Sequence, residues 1–263
     1  MKEKIKILAI GDIVGKPGRQ AVKALLPKIK KEEAIDFSIG NAENAAGGSG
    51  VTREVSDELL GYGLDVLTSG DHIWRKKEVL DIINIEKRLL RPLNFPEGAP
   101  GSGSWIYQLK DGMPICVINI VGRVFMNTLE CPFRTIRREL ERIKEKTPVV
   151  IVDFHAEATS EKIAMGYFLD GLVSAVLGTH THIQTADEKI LPKGTAYITD
   201  LGMTGPYDSV IGRTVEEILE RFITQLPTRF QVAENDIQLH GVALEIETKT
   251  GKAVSIKRIQ RKL

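Results

Sequence analysis

The chain has 263 residues, with 36 lysines and arginines against 35 aspartates and glutamates, so its formal net charge is +1. This balance excludes a strongly basic nucleic-acid coat and an acidic tail protein. Hydrophobic residues make up 42% and charged residues 27%, which is typical of a globular chain that buries a sizeable core and excludes a mainly disordered one.

The first seventy residues alternate apolar strands with amphipathic helices. Residues 1–10 predict a strand and not a signal peptide, and further strands are predicted at 37–40 and 66–69. Between these strands, apolar spacing predicts one helix that Pro27 kinks or divides and a second helix that Thr52 caps. Strands that alternate with helices pair in parallel, so this opening predicts an α/β sheet.

The remainder of the chain mixes hairpins with further strands and helices. Apolar runs predict five more strands, at 105–109, 115–121, 149–154, 172–177 and 196–199. The first two flank an Asp111-Gly112 turn and predict a hairpin, and Pro132 begins a predicted helix. Thr214 and Glu217 match a capping box before another helix. Two last runs predict a C-terminal hairpin, at 237–246 and 253–259.

The organisation of the chain indicates one domain. Its length fits one large domain or two small ones. Residues 94–103 are rich in Gly and Pro and predict a long surface loop that could separate two halves. We expect a single domain over 1–263, because the chemical motifs fall on both sides of that loop.

Cysteine use and hydropathy predict a cytoplasmic protein. Cys116 and Cys131 are the only cysteines and lie in no C-x-x-C pattern, which excludes a disulfide scaffold. Cys116 lies within an apolar run, so we expect it to be a buried thiol. No apolar run approaches ~18 residues, so neither a membrane span nor a membrane partner is expected.

Titratable residues follow the predicted strands where these end. They are Asp12, Glu43, Asp71, His72, His155, His180 and His182. Because the carboxyl ends of the strands meet at one edge of an α/β sheet, these side chains can converge there. Carboxylates and imidazoles suit Mn, Fe or Zn. A single histidine at a strand end is more often structural, but the joint pattern favours a metal site; His240 has no such partners and is expected to be structural.

The pair His180 and His182 is separated by one residue. In an extended chain both rings face the same side, so they can serve one metal or two adjacent metals. Two metals ~3.5–4 Å apart that share a carboxylate are typical of hydrolases. Asn41 and Asn44 fit Asx turns as well as a site. The run from Gly11 to Lys16 has the wrong spacing for a P-loop.

The motifs together resemble a known superfamily. In chain order, the five blocks of calcineurin-like metallophosphoesterases are matched by Gly11-Asp12, residues 40–44, Gly70-Asp71-His72, His155 and residues 178–182. Longer runs resemble one branch, the YmdB-type phosphodiesterases, at 122–126, 153–162, 178–187 and 199–206. The resemblance covers nearly the whole chain.

The resemblance implies an α/β fold, a four-layer αββα sandwich of two mixed β-sheets flanked by helices. It also implies two divalent or trivalent metal ions, iron or manganese. The first would be held by Asp12, Glu43, Asn44 and His182. The second would be held by Glu43 as a bridge, Asp71, His155 and His180. His72 would be the proton donor when a metal-bridging hydroxide attacks phosphorus.

The implied substrates are small phosphodiesters, above all 2′,3′-cyclic nucleotides such as 2′,3′-cyclic AMP, and the implied assembly is a homo-oligomer. A stable complex with long nucleic acid is not expected at a net charge of +1. Two alternatives stay open. One is a phosphomonoesterase on the same scaffold, either a nucleotidase or a protein phosphatase, and the other is a non-catalytic nucleotide-binding regulator.

The sequence departs from the resemblance at two positions. Val14 stands where the wider superfamily has a histidine, as in the YmdB-type branch, so the first metal has one fewer imidazole. Asp71 stands where the family usually has asparagine. Three carboxylates and a hydroxide would neutralise two divalent ions, so we expect Asp71 either to favour a more highly charged metal pair or to lower activity.

Outside the ligand set, four residues are candidates for supporting roles. Arg123 can pair with a phosphate, and Phe125 can contact a base, although a surface salt bridge and core packing respectively are alternatives. Asp153 can hydrogen-bond a ligand histidine, and Asp200 can shape a loop near the metals. Glu157 and Lys162 are expected to pair with each other at a helix start.

Overall fold

The computed structural model describes residues 2–263; residue 1, which the predicted first strand includes, lies outside them. The α-helices are α1 (Gly15–Glu32), α2 (Arg53–Gly61), α3 (Pro132–Ile143), α4 (Thr159–Phe168) and α5 (Val215–Thr224). The strands of the first half are β1 (Lys4–Ile10), β2 (Asp12–Ile13), β3 (Phe37–Asn41), β4 (Val66–Thr68), β5 (Ser104–Gln108) and β6 (Pro114–Val121). The strands of the second half are β7 (Val150–His155), β8 (Ala175–Thr179), β9 (Lys189–Ile190), β10 (Ala196–Ile198), β11 (Met203–Pro206), β12 (Ile237–Glu247) and β13 (Ala253–Lys262). Short 3₁₀ helices cover Ile73–Arg75 and Lys77–Asp81.

The strands form two mixed sheets. In the first sheet the order is β2-β11-β12-β1-β3-β4, with β13 on β12, and in the second it is β5-β6-β7-β8-β10-β9. Strands β1, β3 and β4 are parallel to one another, as are β6, β7, β8 and β10. The hairpins β5–β6 and β12–β13 are antiparallel, as the sequence predicts.

Alternating side chains of β1 show how the layers pack. Ile5 and Ile7 face a core shared with strands of the second sheet, such as β7 through Ile151. Leu8 and Ile10 face the opposite way, into a core shared with α1 and α2. A third core lies between the second sheet and helices α3 and α4. Because successive strand residues point to opposite faces, both sheets are covered on both sides, which confirms the four-layer αββα sandwich.

Helix α1 corrects one part of a prediction from the sequence, the division of the helix at Pro27. It runs without interruption from Gly15 to Glu32, so Pro27 does not divide it. Pro27 is exposed, while Val22, Leu26 and Ile29 are buried against the first sheet. The packing of that apolar face holds the helix together although the proline removes one backbone donor.

Helix α5 corrects a second prediction. The Thr214 side chain makes no capping hydrogen bond to the helix backbone; its hydroxyl donates to Glu217 Oε2 at 2.7 Å. Glu217 also accepts from the backbone N–H of Gln231 at 2.5 Å, so it joins the helix to the following segment and is not available for a capping box. The Thr52 cap of α2 is confirmed, since its hydroxyl accepts from Val55 N at 3.3 Å.

The strands deliver the titratable residues to one edge of the sandwich. Asp12 follows β1, Glu43 follows β3, Asp71 and His72 follow β4, and His155 ends β7. Both thiols are free, and that of Cys116 is buried as expected. Over the range 2–263 there is no helix with the length and apolar character needed to cross a membrane.

Candidate metal centre

Glu43 lies at the centre of a cluster of carboxylates and imidazoles. Ligand atoms of Glu43, Asp71, His155 and His180 all lie within 4.8 Å of one another. His155 Nε2 is 3.1 Å from Glu43 Oε2 and 3.4 Å from Asp71 Oδ1. His180 Nδ1 is 3.0 Å from His155 Nε2. These four side chains are the set that the resemblance to metallophosphoesterases assigns to one of two metals.

A second group lies on the other side of Glu43. Asn44 Nδ2 is 2.9 Å from Glu43 Oε1 and 3.2 Å from His182 Nε2. His182 Nε2 is 3.9 Å from Asp12 Oδ1. Asp12 and Glu43 are fully buried, and His182 is buried to more than nine-tenths. The two groups meet at Glu43, which is the arrangement that a bridging carboxylate requires.

The donor set fits metal ions. Asp12 Oδ1 and Asp71 Oδ1 are buried and have no hydrogen-bond partner among the described residues. A buried carboxylate oxygen without a partner is costly unless a cation binds it. Gly70 makes the close packing possible, because a Cβ at that position would lie 2.2 Å from Glu43 Oε2 and 2.3 Å from His155 Nε2.

The pKa values in the cluster diverge because its charges are buried together. Burial raises the pKa of Asp12 to about 6, although the charge of His182 partly offsets this. Burial would also raise the pKa of Glu43, but the charge of His155 and hydrogen bonds from His155 and His72 hold it well below its usual range. Burial and the charge of His155 lower the pKa of His180 to about 4, which favours the neutral imidazole that binds metals.

Asp153 supports the cluster indirectly. Its Oδ1 accepts from the Thr179 hydroxyl at 2.7 Å, and Thr179 Oγ1 lies 2.9 Å from His155 Nδ1. Its Oδ2 accepts from Asn41 Nδ2 at 3.0 Å, while Asn41 Oδ1 accepts from Glu43 N at 3.0 Å in an Asx turn. The prediction of a direct hydrogen bond from Asp153 to a ligand histidine is wrong, because the Thr179 hydroxyl lies between them.

The loop that carries His180 and His182 is not extended. Both residues have positive φ values, 96° and 65°, so the argument from an extended chain does not hold. Asp200 holds this turn, since its Oδ2 accepts from the backbone N–H of Thr181 at 3.1 Å and from the Thr181 hydroxyl at 2.6 Å. Asp12 Oδ2 accepts from His180 N at 3.1 Å. The rings reach Glu43 because these acceptors fix the turn.

Lys162 and Glu157 do not pair with each other as the sequence predicts. Lys162 is fully buried, and its Nζ donates to Asp200 Oδ2 at 2.7 Å and to Thr181 Oγ1 at 3.1 Å. Glu157 Oε2 lies 3.0 Å from His180 Nε2. The five-residue spacing between Glu157 and Lys162 favoured a local pair. It could not indicate the observed partners, Asp200 and His180, because both lie far along the chain.

His72 lies beside the cluster and is partly exposed. Its Nδ1 is 3.2 Å from Asn44 Oδ1 and 3.3 Å from Glu43 Oε1. A hydrogen bond to Glu43 raises the pKa of His72, against the effect of burial. The distance from His72 Nε2 to Asp71 Oδ2 is 3.8 Å, which is too long for a hydrogen bond. The ring is therefore anchored through one nitrogen.

Arg123 and Phe125 lie on the loop after β6. The loop begins at Gly122, whose N–H donates to His155 O at 2.9 Å, and Glu161 accepts from the backbone N–H groups of Arg123 and Val124 at 3.2 Å. Phe125 has a positive φ of 62° and is 90% exposed, so it is not a core residue. The loop starts beside the cluster, but the described side chains that line the cavity at the cluster do not include Arg123 or Phe125.

Comparisons with known proteins agree with this geometry. A family model described as "YmdB-like protein" matches residues 8–259. A Bacillus subtilis (strain 168) protein named 2′,3′-cyclic-nucleotide 2′-phosphodiesterase is 51% identical over 255 residues, which cover 97% of this chain and 96% of the relative.

Two solved structures are similar over nearly their whole length. A structure from Mycoplasma pneumoniae described as a novel phosphatase gives a TM-score of 0.93 at 35% identity and covers 100% of this chain and 95% of that one. A structure of a hypothetical protein from Thermus thermophilus gives a TM-score of 0.92 at 43% identity and covers 98% of this chain and 99% of that one.

Proposed function

The chain belongs to the YmdB-like family, and from that membership and the carboxylate–imidazole cluster we propose that it is a metal-dependent phosphodiesterase that hydrolyses 2′,3′-cyclic nucleotides. The observation that carries the proposal is the meeting of Glu43, Asp71, His155 and His180 within 4.8 Å. The 51% identity to a Bacillus subtilis protein of that named activity supports the substrate.

Two metal ions fit the residues of this site. Asp12, Asn44 and His182 would hold one, Asp71, His155 and His180 the other, and Glu43 both. Carboxylate and imidazole donors suit iron or manganese. When bound, the ions would lower the pKa of water and offset the negative charge of the phosphoryl oxygens.

The reaction adds water across one ester bond of the cyclic phosphate. A new bond forms between phosphorus and the water oxygen, the bond from phosphorus to O2′ breaks, and O2′ leaves with a proton as the 2′-hydroxyl. The product is the 3′-monophosphate. We take the 2′ bond from the name of the Bacillus subtilis relative.

His72 supplies the proton to the leaving O2′. Its Nδ1 is held by Asn44 and Glu43, at 3.2 and 3.3 Å, so Nε2 is the nitrogen left to face a substrate. A positioned acid of this kind contributes ~10²–10⁴-fold to the rate. Glu43 and Asn44 orient the ring in addition to any contact with metal.

Further residues have supporting parts in this proposal. Asp153 and Asp200 position the histidines through Thr179 and Thr181, as their hydrogen bonds indicate. Substrate contact by Arg123 and Phe125 stays a prediction: their loop starts beside His155, and neither side chain is among those that line the cavity. The free thiols fit the cytoplasmic location that the sequence predicts, and the homo-oligomer stays a prediction.

A phosphomonoesterase is the second candidate, because a Mycoplasma pneumoniae relative of the same fold is described as a phosphatase. The first experiment therefore incubates Mn²⁺-loaded protein with 2′,3′-cyclic AMP and, separately, with 3′-AMP, and follows the products by chromatography. We expect conversion of the diester to 3′-AMP and no further reaction. Release of inorganic phosphate from 3′-AMP at a comparable rate would favour the phosphomonoesterase, and turnover of neither would contradict both.

A further inference from the structure

A cavity of about 440 Å³ opens onto the metal centre. Glu43, Asn44, His72, His180 and His182 all line it. The lining also includes an apolar wall, made of Val14, Val210, Ile211, Ile218, Phe222 and Phe230. Cavities of ~300–1,000 Å³ hold small organic ligands. A ligand with a charged group at the metals and a flat apolar group beside them matches this lining.

The apolar wall is held in place by helix α5 and the segment that follows it. Glu217 joins α5 to Gln231 through the 2.5 Å hydrogen bond from the backbone N–H. Arg213 pairs with Val232 in a β-bridge, and its guanidinium donates to the carbonyl of Gly48. Gly48 has a φ of +87°, and a Cβ there would lie 2.4 Å from Arg213 Nη1. The segment that carries Val210 and Ile211 is therefore held against the loop after Glu43 through Arg213.

The wall is coupled to the metal centre through one contact. The carbonyl oxygen of Ile211 lies 3.0 Å from His182 Nδ1. This contact holds Nδ1 at the carbonyl, so Nε2 is the ring nitrogen that faces Asp12 and Asn44. The segment that carries the wall therefore also orients a candidate ligand, and the two parts of the cavity keep a fixed relation.

The two phenyl rings of the wall are unusually open to solvent. Phe222 is 69% exposed and Phe230 is 40% exposed, although both line the cavity. Of α5, only Ile218 is buried. Nucleobases stack on exposed aromatic side chains in proteins that bind single-stranded nucleic acid, and removal of such a ring weakens binding by ~5- to 150-fold.

We propose that the apolar wall binds the nucleobase of the cyclic nucleotide, with Phe222 and Phe230 as the residues that stack on it; this inference rests on the proposed function. The cyclic phosphate occupies the metal end of the cavity, and the base lies against the wall. Every base has an aromatic face, so the wall accepts purines and pyrimidines with little discrimination. The other occupant of such a surface is a second copy of the chain, which the test distinguishes.

The test compares Phe222→Ala, Phe230→Ala and Ile223→Ala in Mn²⁺-loaded protein. Ile223 is the matched control, because it is on the same helix and 79% exposed, and it is not part of the cavity lining. The substrates are 2′,3′-cyclic AMP and the 2′,3′-cyclic phosphate of 1-O-methylribose, which lacks the base. For each phenylalanine variant we expect KM for cyclic AMP to rise at least ~5-fold with kcat unchanged. Turnover of the baseless substrate and all properties of the control are expected to stay at the wild-type level.

Equal losses on both substrates would overturn the inference, because they would show a structural effect. If the phenylalanine variants also differ from the wild type in molar mass by light scattering, the wall contacts a second copy of the chain. If the wild type hydrolyses neither substrate, the proposed function fails, and calorimetry decides the inference separately. In that titration, 3′-AMP must bind more weakly to the phenylalanine variants than to the wild type, while inorganic phosphate binds all of them equally. If the variants and the wild type have equal affinities for 3′-AMP, the wall does not bind the nucleobase.

Discussion

Lys162 and Asp200 form a buried ion pair, with Nζ 2.7 Å from Oδ2, directly behind the turn that carries His180 and His182. Asp200 uses the same oxygen to hold the backbone and hydroxyl of Thr181. The pair therefore connects α4 in the outer layer to two candidate metal ligands. Both side chains are buried, so the loss of one charge leaves the other uncompensated.

From this pair we expect Lys162→Met to lower the free energy of unfolding by ~3–5 kcal/mol and to weaken Mn²⁺ binding, since the turn loses its anchor. Lys162→Met with Asp200→Asn should recover part of the stability, because no unpaired charge remains. Lys144→Met is the control, as Lys144 pairs with Glu141 at 3.0 Å on the surface, where a pair is worth ~0–1 kcal/mol. Urea denaturation and calorimetric Mn²⁺ titration measure both effects. Equal stability of the single and double variants would refute the account.

The convergence of the candidate ligands could be predicted from the sequence, whereas this ion pair could not. Asp12 and Glu43 follow β1 and β3 of the first sheet, and His155 ends β7 of the second sheet. The carboxyl ends of parallel strands are where such side chains gather, and the sequence marks each of these ends by an apolar run. Lys162 lies on a helix, 38 positions before Asp200, and local spacing favoured Glu157 as its partner. The contact exists because α4 packs its buried face on the second sheet, which single-chain periodicity does not encode.

Helix α5 shows a second feature that the apolar periodicity of the sequence does not predict. Its apolar spacing correctly predicts a helix, but Leu219 and Phe222 are 50% and 69% exposed, and no residue of α5 belongs to the three cores. Periodicity indicates which residues share a face, and it does not indicate what that face contacts. The extended geometry expected for His180 and His182 was wrong for a related reason, since side-chain acceptors from distant strands impose the turn.

Asp71 offers a direct test of charge at the centre. Three carboxylates, from Asp12, Glu43 and Asp71, surround the proposed metals, and Asp71 Oδ1 lies 3.4 Å from His155 Nε2. Asp71→Asn removes one negative charge and keeps the shape, so an anionic diester should be attracted more strongly. At saturating Mn²⁺ we expect kcat/KM for 2′,3′-cyclic AMP to rise, and the preference for Fe³⁺-containing pairs, measured by metal analysis after mixed loading, to fall. An unchanged kcat/KM together with an unchanged metal preference would contradict this.

His72 gives the sharpest test of the proposed mechanism. His72→Ala removes the proton donor, and kcat for 2′,3′-cyclic AMP should fall by ~10²–10⁴-fold while metal content stays at two ions. A diester with a p-nitrophenolate leaving group needs no proton, so its turnover should fall far less. Glu43→Ala is the contrasting variant, because it should lose metal and both activities. Equal losses on the two substrates by His72→Ala would show that His72 positions the substrate or metals and does not protonate O2′.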